Sequence, residues 1–348
     1  MAKLSEADLK REIKNSSFRK FYFLYGEEKM LVSSYTRKLI EKICGKNPSD
    51  FNFHKFTENS PIDKIIPALD IIPFSSEYNC VYVEDFGLEK LSDSDMKTFL
   101  KAVDGIPDGT ILIISMKTLS PSGKKPAVWK KLIEKADKCG VCVEFGLKTV
   151  PELRKILISR AEKNGFTLSP ENAAKITEYA GTDLNTLKNE LDKLCAFAGS
   201  GTITTEQIEM TVTKNLSARV FDLTDAITSG DINAAFNRLG LLFYQREEPV
   251  IILAEIANTY VDMYRVRMAV ESGMRAEEVA KNFDYKRKEF RLKKAERSSS
   301  RLTTDTISRC LEYIAQTNSI MNSSGVNKRS LLEQLVMKLI TAGGYRVK

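Results

Sequence analysis

Apolar residues change their rhythm along this chain. Up to about residue 145, short apolar runs alternate with longer stretches whose apolar positions recur every three to four residues. The runs predict strands at Phe21–Tyr25, Phe51–Phe56, Cys80–Glu84, Thr110–Ser115 and Val141–Phe145. Between them the pattern predicts helices at Leu31–Cys44, Pro61–Ile71, Ser92–Val103 and Ala127–Lys138. Thr110-Ile111-Leu112-Ile113-Ile114 is apolar without alternation, as a strand covered on both faces requires. Pro107-Asp108-Gly109 and Ser120-Pro121-Ser122-Gly123 punctuate as turns. The expectation is a parallel sheet covered by helices.

From about Thr149 the strand rhythm stops. Helices are expected over Pro151–Asn164, from Ser169 toward Ala180, over Asp183–Phe197 and from Thr205 to Val212. A second helical run follows from about Leu216: Phe221–Thr228, Ile232–Tyr244, Val250–Ser272, Ala276–Asn282, Lys286–Ser298, Thr304–Asn322 and Lys328–Ala342. The fold class is α/β plus all-α, in three expected parts: an α/β domain over 1–146, a small helical domain over 147–213 and a larger helical domain over 214–348.

Composition narrows the chemistry. A chain of 348 residues, 43% hydrophobic and 28% charged, is an ordinary globular protein with room for two or three cores. No apolar run approaches the ~20 residues of a membrane helix, and the start of the chain turns polar at once, so no membrane association is expected and the cytoplasm is the default. The six cysteines stand at 44, 80, 139, 142, 195 and 310. Cys139-Gly140-Val141-Cys142 is the close pair, either a redox dithiol or two thiols packed around a turn. A structural zinc would need further ligands, and His54 is the single histidine. Any histidine-based mechanism would have to use His54, which sits in an alternating segment as a solvent-facing strand residue. No metal is therefore expected. The net charge of +7 hints at a polyanion without establishing one.

Phe21-Tyr22-Phe23-Leu24-Tyr25-Gly26 is a hydrophobic strand ending in glycine before a helix, the setting of a phosphate-binding loop. A working loop reads G-x-x-x-x-G-K-[ST], with backbone N–H groups cradling phosphates and a lysine on the terminal ones. Counted from Gly26, the Gly-Lys-Ser/Thr positions hold Leu31, Val32 and Ser33. Glu27 and Glu28 add negative charge where phosphate would sit, and Lys29 comes three residues early. The segment is either an ordinary strand–helix junction or a nucleotide-binding scaffold without its nucleotide.

The chain resembles the delta subunit of the bacterial DNA polymerase III clamp loader over nearly its whole length. The carriers are Tyr22-Phe23-Leu24-Tyr25-Gly26-Glu27-Glu28, Ile72-Pro73-Phe74-Ser75-Ser76-Glu77, and Gly181-Thr182-Asp183-Leu184-Asn185 followed by Asn189-Glu190-Leu191-Asp192-Lys193-Leu194. Val220-Phe221-Asp222-Leu223-Thr224-Asp225-Ala226 and Glu247-Glu248-Pro249-Val250-Ile251-Ile252-Leu253 complete the set. The resemblance implies an AAA+-like domain without a working phosphate loop, a small helical lid, and a helical collar joining a hetero-pentameric ring. It implies no ATP hydrolysis and no cofactor. The implied partners are the sliding clamp (the beta subunit), the other clamp-loader subunits, and primer-template DNA within the complex. The rivals are a divergent AAA+ ATPase, a sister stator subunit, which would carry an arginine-finger triplet in its first domain, and a free-standing nucleic-acid-binding protein. The triplet Ser308-Arg309-Cys310 does occur, but in a late helix.

Three segments stand out as sites. In Leu69-Asp70-Ile71-Ile72-Pro73-Phe74-Ser75-Ser76 the proline stops the preceding helix and leaves Phe74 between a helix end and a strand. Ile72 and Phe74 either staple helix to sheet or, as the resemblance implies, Ile71, Ile72, Pro73 and Phe74 form an apolar plug for a pocket in the clamp. One such side chain contributes roughly 1.5–3 kcal/mol when buried. Val81-Tyr82-Val83-Glu84-Asp85 has the strand-then-acid form of a magnesium-holding motif, but without a phosphate cradle Glu84 and Asp85 read as solvated. The cationic run Lys281, Lys286, Arg287, Lys288, Arg291, Lys293, Lys294, Arg297 and Arg301 is either a set of DNA-phosphate contacts or a solvated helix face, with Phe290 and Leu292 inward. Lys124, Lys125, Lys130 and Lys131 around Trp129 form a second, equally open cluster.

Overall fold

The computed structural model describes residues 4–73, 76–120, 126–323 and 325–344. The chain divides into two compact units, Met1–Lys148 and Thr149–Lys348. Phe74, Lys124 and Lys125 lie outside the described residues.

The first unit is a five-stranded parallel sheet in the order β2-β3-β4-β1-β5. Its strands are β1 (Phe21–Gly26), β2 (Phe53–Phe56), β3 (Asn79–Glu84), β4 (Thr110–Ser115) and β5 (Val141–Phe145). Its helices are α1 (Glu6–Asn15), α2 (Lys29–Cys44), α3 (Ile62–Leu69), α4 (Asp93–Asp104) and α5 (Pro126–Cys139). Because side chains alternate along a strand, each strand feeds two cores. Tyr22, Leu24, Cys80, Tyr82, Ile111, Ile113, Val141 and Val143 pack with Leu9 of α1 and Val32, Tyr35 and Leu39 of α2. Phe21, Phe23, Val81, Val83, Leu112 and Ile114 pack on the other face with Ile65, Phe99, Trp129 and Leu132. The continuous apolar runs have this origin.

Helix α1 was not anticipated. A capping box starts it: the Ser5 hydroxyl accepts the Asp8 N–H while the Asp8 carboxylate accepts from the Ser5 backbone. Two other ends differ from expectation. Strand β2 opens at Phe53 rather than Phe51, because the N–H groups of Asn52 and Phe53 both turn back to the Ser49 carbonyl at 2.9 Å. Helix α3 ends at Leu69 rather than Ile71. Its last turn tightens as Asp70 N–H bonds the Pro67 carbonyl, and the residue before Pro73 is steered out of the helical region.

The second unit opens with α6 (Val150–Lys163), α7 (Pro170–Ala180), α8 (Leu184–Ala198) and α9 (Thr205–Thr211). Strands do not stop entirely: β6 (Phe166–Thr167) and β7 (Gly201–Thr202) form a parallel pair, each too short to leave a periodic trace in sequence. Then come α10 (Leu216–Ser229), α11 (Ile232–Tyr244), α12 (Pro249–Glu271), α13 (Phe290–Ser299), α14 (Thr304–Met321) and α15 (Lys328–Ala342). Residues Ala276–Lys281 form a 3-10 turn rather than an α-helix. Helix α12 carries Ile252, Leu253, Ile256, Tyr260, Met263 and Val266 into a core shared with Leu223, Leu239, Leu292, Ile314 and Leu335. The α/β-then-all-α class expected from the apolar rhythm is the one the chain adopts.

Candidate functional site

The two ends of the sheet carry different chemistry. At the carboxyl ends lies the crevice between β1 and β4, where an open sheet wound in this order takes a nucleotide. Only Glu27 and Glu28 separate β1 from α2, too few for a phosphate cradle. Gly26 stands at φ +141°, and a Cβ there would meet the Phe145 carbonyl oxygen at 2.2 Å, so β1 and β5 close tightly at this turn. The Glu28 N–H, which would face a phosphate, donates to that same Phe145 oxygen at 3.0 Å, and Glu28 itself is buried.

The lysine that follows is already engaged. Lys29 Nζ donates to the Met116 carbonyl at 3.1 Å, to the Ser120 hydroxyl at 2.8 Å and to the Leu119 carbonyl. Burial pulls its ammonium below the usual lysine range, an effect Asp85 opposes. Asp85 was read as solvated, but it is buried. It sits at φ 53°, and its carboxylate accepts from the Thr118 N–H at 2.9 Å, the Thr118 hydroxyl at 2.7 Å and the Leu119 N–H at 3.1 Å. Lysine and aspartate together grip the segment after β4 and fill the crevice with the protein's own polar groups. Glu84 is likewise paired rather than solvated, with Lys55 at 2.9 Å and Lys117 at 3.2 Å. Burial pushes its carboxyl up, but those two ammonium groups outweigh it and the net shift is downward.

On the segment that leads from α3 into β3, two apolar side chains are exposed. Ile71 is 37% exposed and Ile72 is 73% exposed. The backbone at Ile71 is nonetheless held: its carbonyl accepts from Asn79 Nδ2 at 3.1 Å and from the Thr110 hydroxyl at 2.9 Å. Asn79 is buried and also donates to the Ala68 carbonyl at 3.0 Å. Pro73 packs beside Gly109, where a Cβ would lie 2.9 Å from the proline Cγ. Gly109 also needs φ +85°, which costs an alanine roughly 1–2 kcal/mol. Gly109→Ala should therefore lower stability by that amount and displace Pro73. An unchanged chemical-denaturation midpoint would contradict the packing described.

The cationic run is not one surface. Helix α13 begins at Phe290, not Lys286, and the chain before it turns through Arg287 at φ 64°. Arg291, grouped above with possible phosphate contacts, points inward: it is buried and its Nε donates to Asp262 at 2.7 Å. Arg287 is half-buried and donates to the Thr182 carbonyl. Lys294 pairs with Glu178 at 2.6 Å. Lys286, Lys288, Lys293, Arg297 and Arg301 stay exposed. Trp129 is a core residue, its Nε1 donating to Glu89 at 2.5 Å, while Lys130 and Lys131 are exposed beside it.

Among the described residues no disulfide joins any of the six cysteines. Cys142 is buried in the sheet, whereas Cys139 ends α5 and donates to Asp104 at 3.4 Å. Burial pushes the Cys310 thiol up to about 11. Among the described residues no cluster of three or more His, Cys, Asp or Glu side chains could hold a metal ion. His54 is half-buried on β2 rather than fully solvent-facing, with its Nε2 enclosed. Among the described residues no helix is long and apolar enough to cross a membrane.

Residues 22–143 match the model of the DNA polymerase III delta subunit, and residues 217–339 match that of the delta subunit's C-terminal domain. DNA polymerase III subunit delta of Bacillus subtilis (strain 168) is 23% identical over 337 residues, covering 96% of both chains. The solved Bacillus subtilis DNA clamp loader delta protein has a similar fold, with a TM-score of 0.60 at 21% identity, over 96% of this chain and 99% of that one. With both halves matched in order by models of one family, this chain belongs to the DNA polymerase III delta-subunit family.

Proposed function

We propose that this chain is a non-catalytic subunit of the DNA polymerase III clamp loader that binds the sliding clamp and helps open it for loading on primed DNA. Ile71, Ile72, Pro73 and Phe74 make the contact in this reading. What carries it is the exposure of the apolar Ile71 and Ile72 side chains next to a hydrogen-bonded Ile71 carbonyl. A rigid apolar projection loses little conformational freedom on docking, and burial in a pocket recovers its hydrophobic free energy. Docking favours the open clamp by the difference in affinity between its open and closed forms.

Within the same reading, residues 147–213 act as the lid and 214–348 as the collar that joins sister subunits in a hetero-pentamer. Lys286, Lys288 and Lys293 are among the exposed members of the cationic run and would meet primer-template phosphates. The self-bonded crevice supports a subunit that leaves ATP to its neighbours. A calorimetric titration with Mg-ATP should accordingly give no binding heat, and micromolar binding would favour the ATPase reading instead.

The test is a titration of the purified clamp. Ile72→Asp and Phe74→Ala should each weaken binding at least about tenfold, equivalent to roughly 1.4 kcal/mol, with the circular-dichroism spectrum unchanged. Wild-type affinity in both variants would remove the assignment.

A further inference from the structure

We infer that a cavity in the second unit, where α10, α11 and α13 meet, takes one phosphate of a single nucleic-acid strand through Arg238, Arg297 and Arg301; this rests on the reading above that primer-template DNA is a partner. The cavity measures about 330 Å³, at the small end of the range for ligand sites. It is lined by the end of α10, the start of α11 and the end of α13. Arg238 lies far from the cationic run in sequence, and only the packing of α11 beside α13 brings it to Arg297 and Arg301.

The walls are tied together without a ligand. Ser298 on α13 donates its hydroxyl to Asp225 on α10 at 2.5 Å. Asp231 caps α11 by accepting the Ala234 N–H at 2.9 Å. Both carboxylates of the lining thus already accept a hydrogen bond from the protein. The guanidiniums are less engaged. Arg238 is half-buried and gives one nitrogen to the Asp222 carbonyl. Arg297 and Arg301 are exposed, and among the described residues neither guanidinium has a hydrogen bond or an ion pair.

Charge and spacing select the ligand. Three guanidiniums and two carboxylates line the cavity, one positive charge in excess. A guanidinium pairs with phosphate oxygens through two parallel N–H bonds. The carboxylates disfavour a bare phosphate ion and suit a ligand with amino donors near its phosphate, as the bases of a strand provide. Lys293 stands four residues before Arg297, and Arg301 four after it. Ser300 keeps helical dihedrals beyond α13, so these cations follow one face at intervals of about 6 Å. Such a row leads out of the cavity and matches an extended polyanion. A free nucleotide would use the cavity alone, and one solvent-exposed charge pair adds little affinity.

The experiment follows the fluorescence anisotropy of a labelled single-stranded oligonucleotide with the full-length chain over a series of salt concentrations. Arg297→Gln with Arg301→Gln should weaken binding about tenfold, and should flatten the slope of log affinity against log salt by about 0.7, the share of one phosphate on a single strand. The melting temperature should not change, because neither side chain has a partner to lose. Arg297→Lys with Arg301→Lys should keep the slope and lose part of the affinity, since lysine carries the charge without the fork. Wild-type affinity and slope in the glutamine pair overturn the cavity; if Lys286→Gln with Lys288→Gln weakens binding in the same assay, the primer-template reading stands without it. If the glutamine pair weakens binding while the lysine-286 and lysine-288 changes do not, the cavity stands and those lysine contacts fall. Complete displacement of the oligonucleotide by millimolar sodium pyrophosphate would make this a small-anion site and overturn the strand assignment. No binding by the wild-type chain at the lowest salt overturns both.

Discussion

Asp262→Ala is expected to destabilise the second unit by about 3–5 kcal/mol, the range for leaving one member of a buried ion pair uncompensated. Asp262 is a buried acid on the central helix α12. Its Oδ2 accepts from Arg291 Nε at 2.7 Å and its Oδ1 from the Tyr285 hydroxyl at 2.5 Å. The same guanidinium reaches Glu255 at 3.4 Å and lies 5.2 Å from the centre of the Phe221 ring. Arg265 in turn donates to the Tyr285 hydroxyl at 3.1 Å. Alanine would strand the Arg291 charge in a core beside Leu292 and Ala295. Replacing both partners together, Asp262→Leu with Arg291→Met, should recover most of the loss, because an apolar pair of similar volume has no charge to desolvate. Urea unfolding followed by circular dichroism reads both. If the single variant falls within about 1 kcal/mol of wild type, the network is not a structural tie.

Asp85→Ala should cost the first unit about 3 kcal/mol. Two backbone N–H groups and one hydroxyl lose their acceptor together, and a buried donor left unsatisfied costs about 1–3 kcal/mol. Alanine at φ 53° adds strain that aspartate tolerates better. Asp85→Asn keeps one acceptor oxygen and should lose less. The sharper reading is local: amide hydrogen exchange at Thr118 and Leu119 should accelerate in Asp85→Ala, and Lys29→Ala should loosen the same segment from the other side. Unaltered exchange at both amides would show that the crevice is not closed by these bonds.

Both predictions rest on residues that sequence reading assigned elsewhere, Arg291 to a cationic surface and Asp85 to solvent. In each case the partner is far along the chain: Asp262 is 29 residues from Arg291 and Thr118 is 33 residues from Asp85. Charge in a sequence shows what a side chain can do, and its burial depends on which element packs opposite. The exposure of Ile71 and Ile72 has the same character. Pro73 showed that the helix must end nearby, but that Ile72 is 73% exposed rather than packed between helix and sheet is a property of the tertiary packing.

Sequence by itself determined most of the elements and their order, with α1, β6 and β7 the exceptions. Thr110–Ser115, Val141–Phe145, Ile232–Tyr244 and Lys328–Ala342 agree with expectation to the residue, because apolar periodicity is a local property that backbone geometry reads directly. The mismatch at Leu31 and Val32 was equally local, and so was the family resemblance. Tertiary structure alone decided that Lys29 and Asp85 close the crevice and that Arg291 turns inward. Those outcomes depend on strand order and helix packing, which bring together residues whose separation along the chain carries no period.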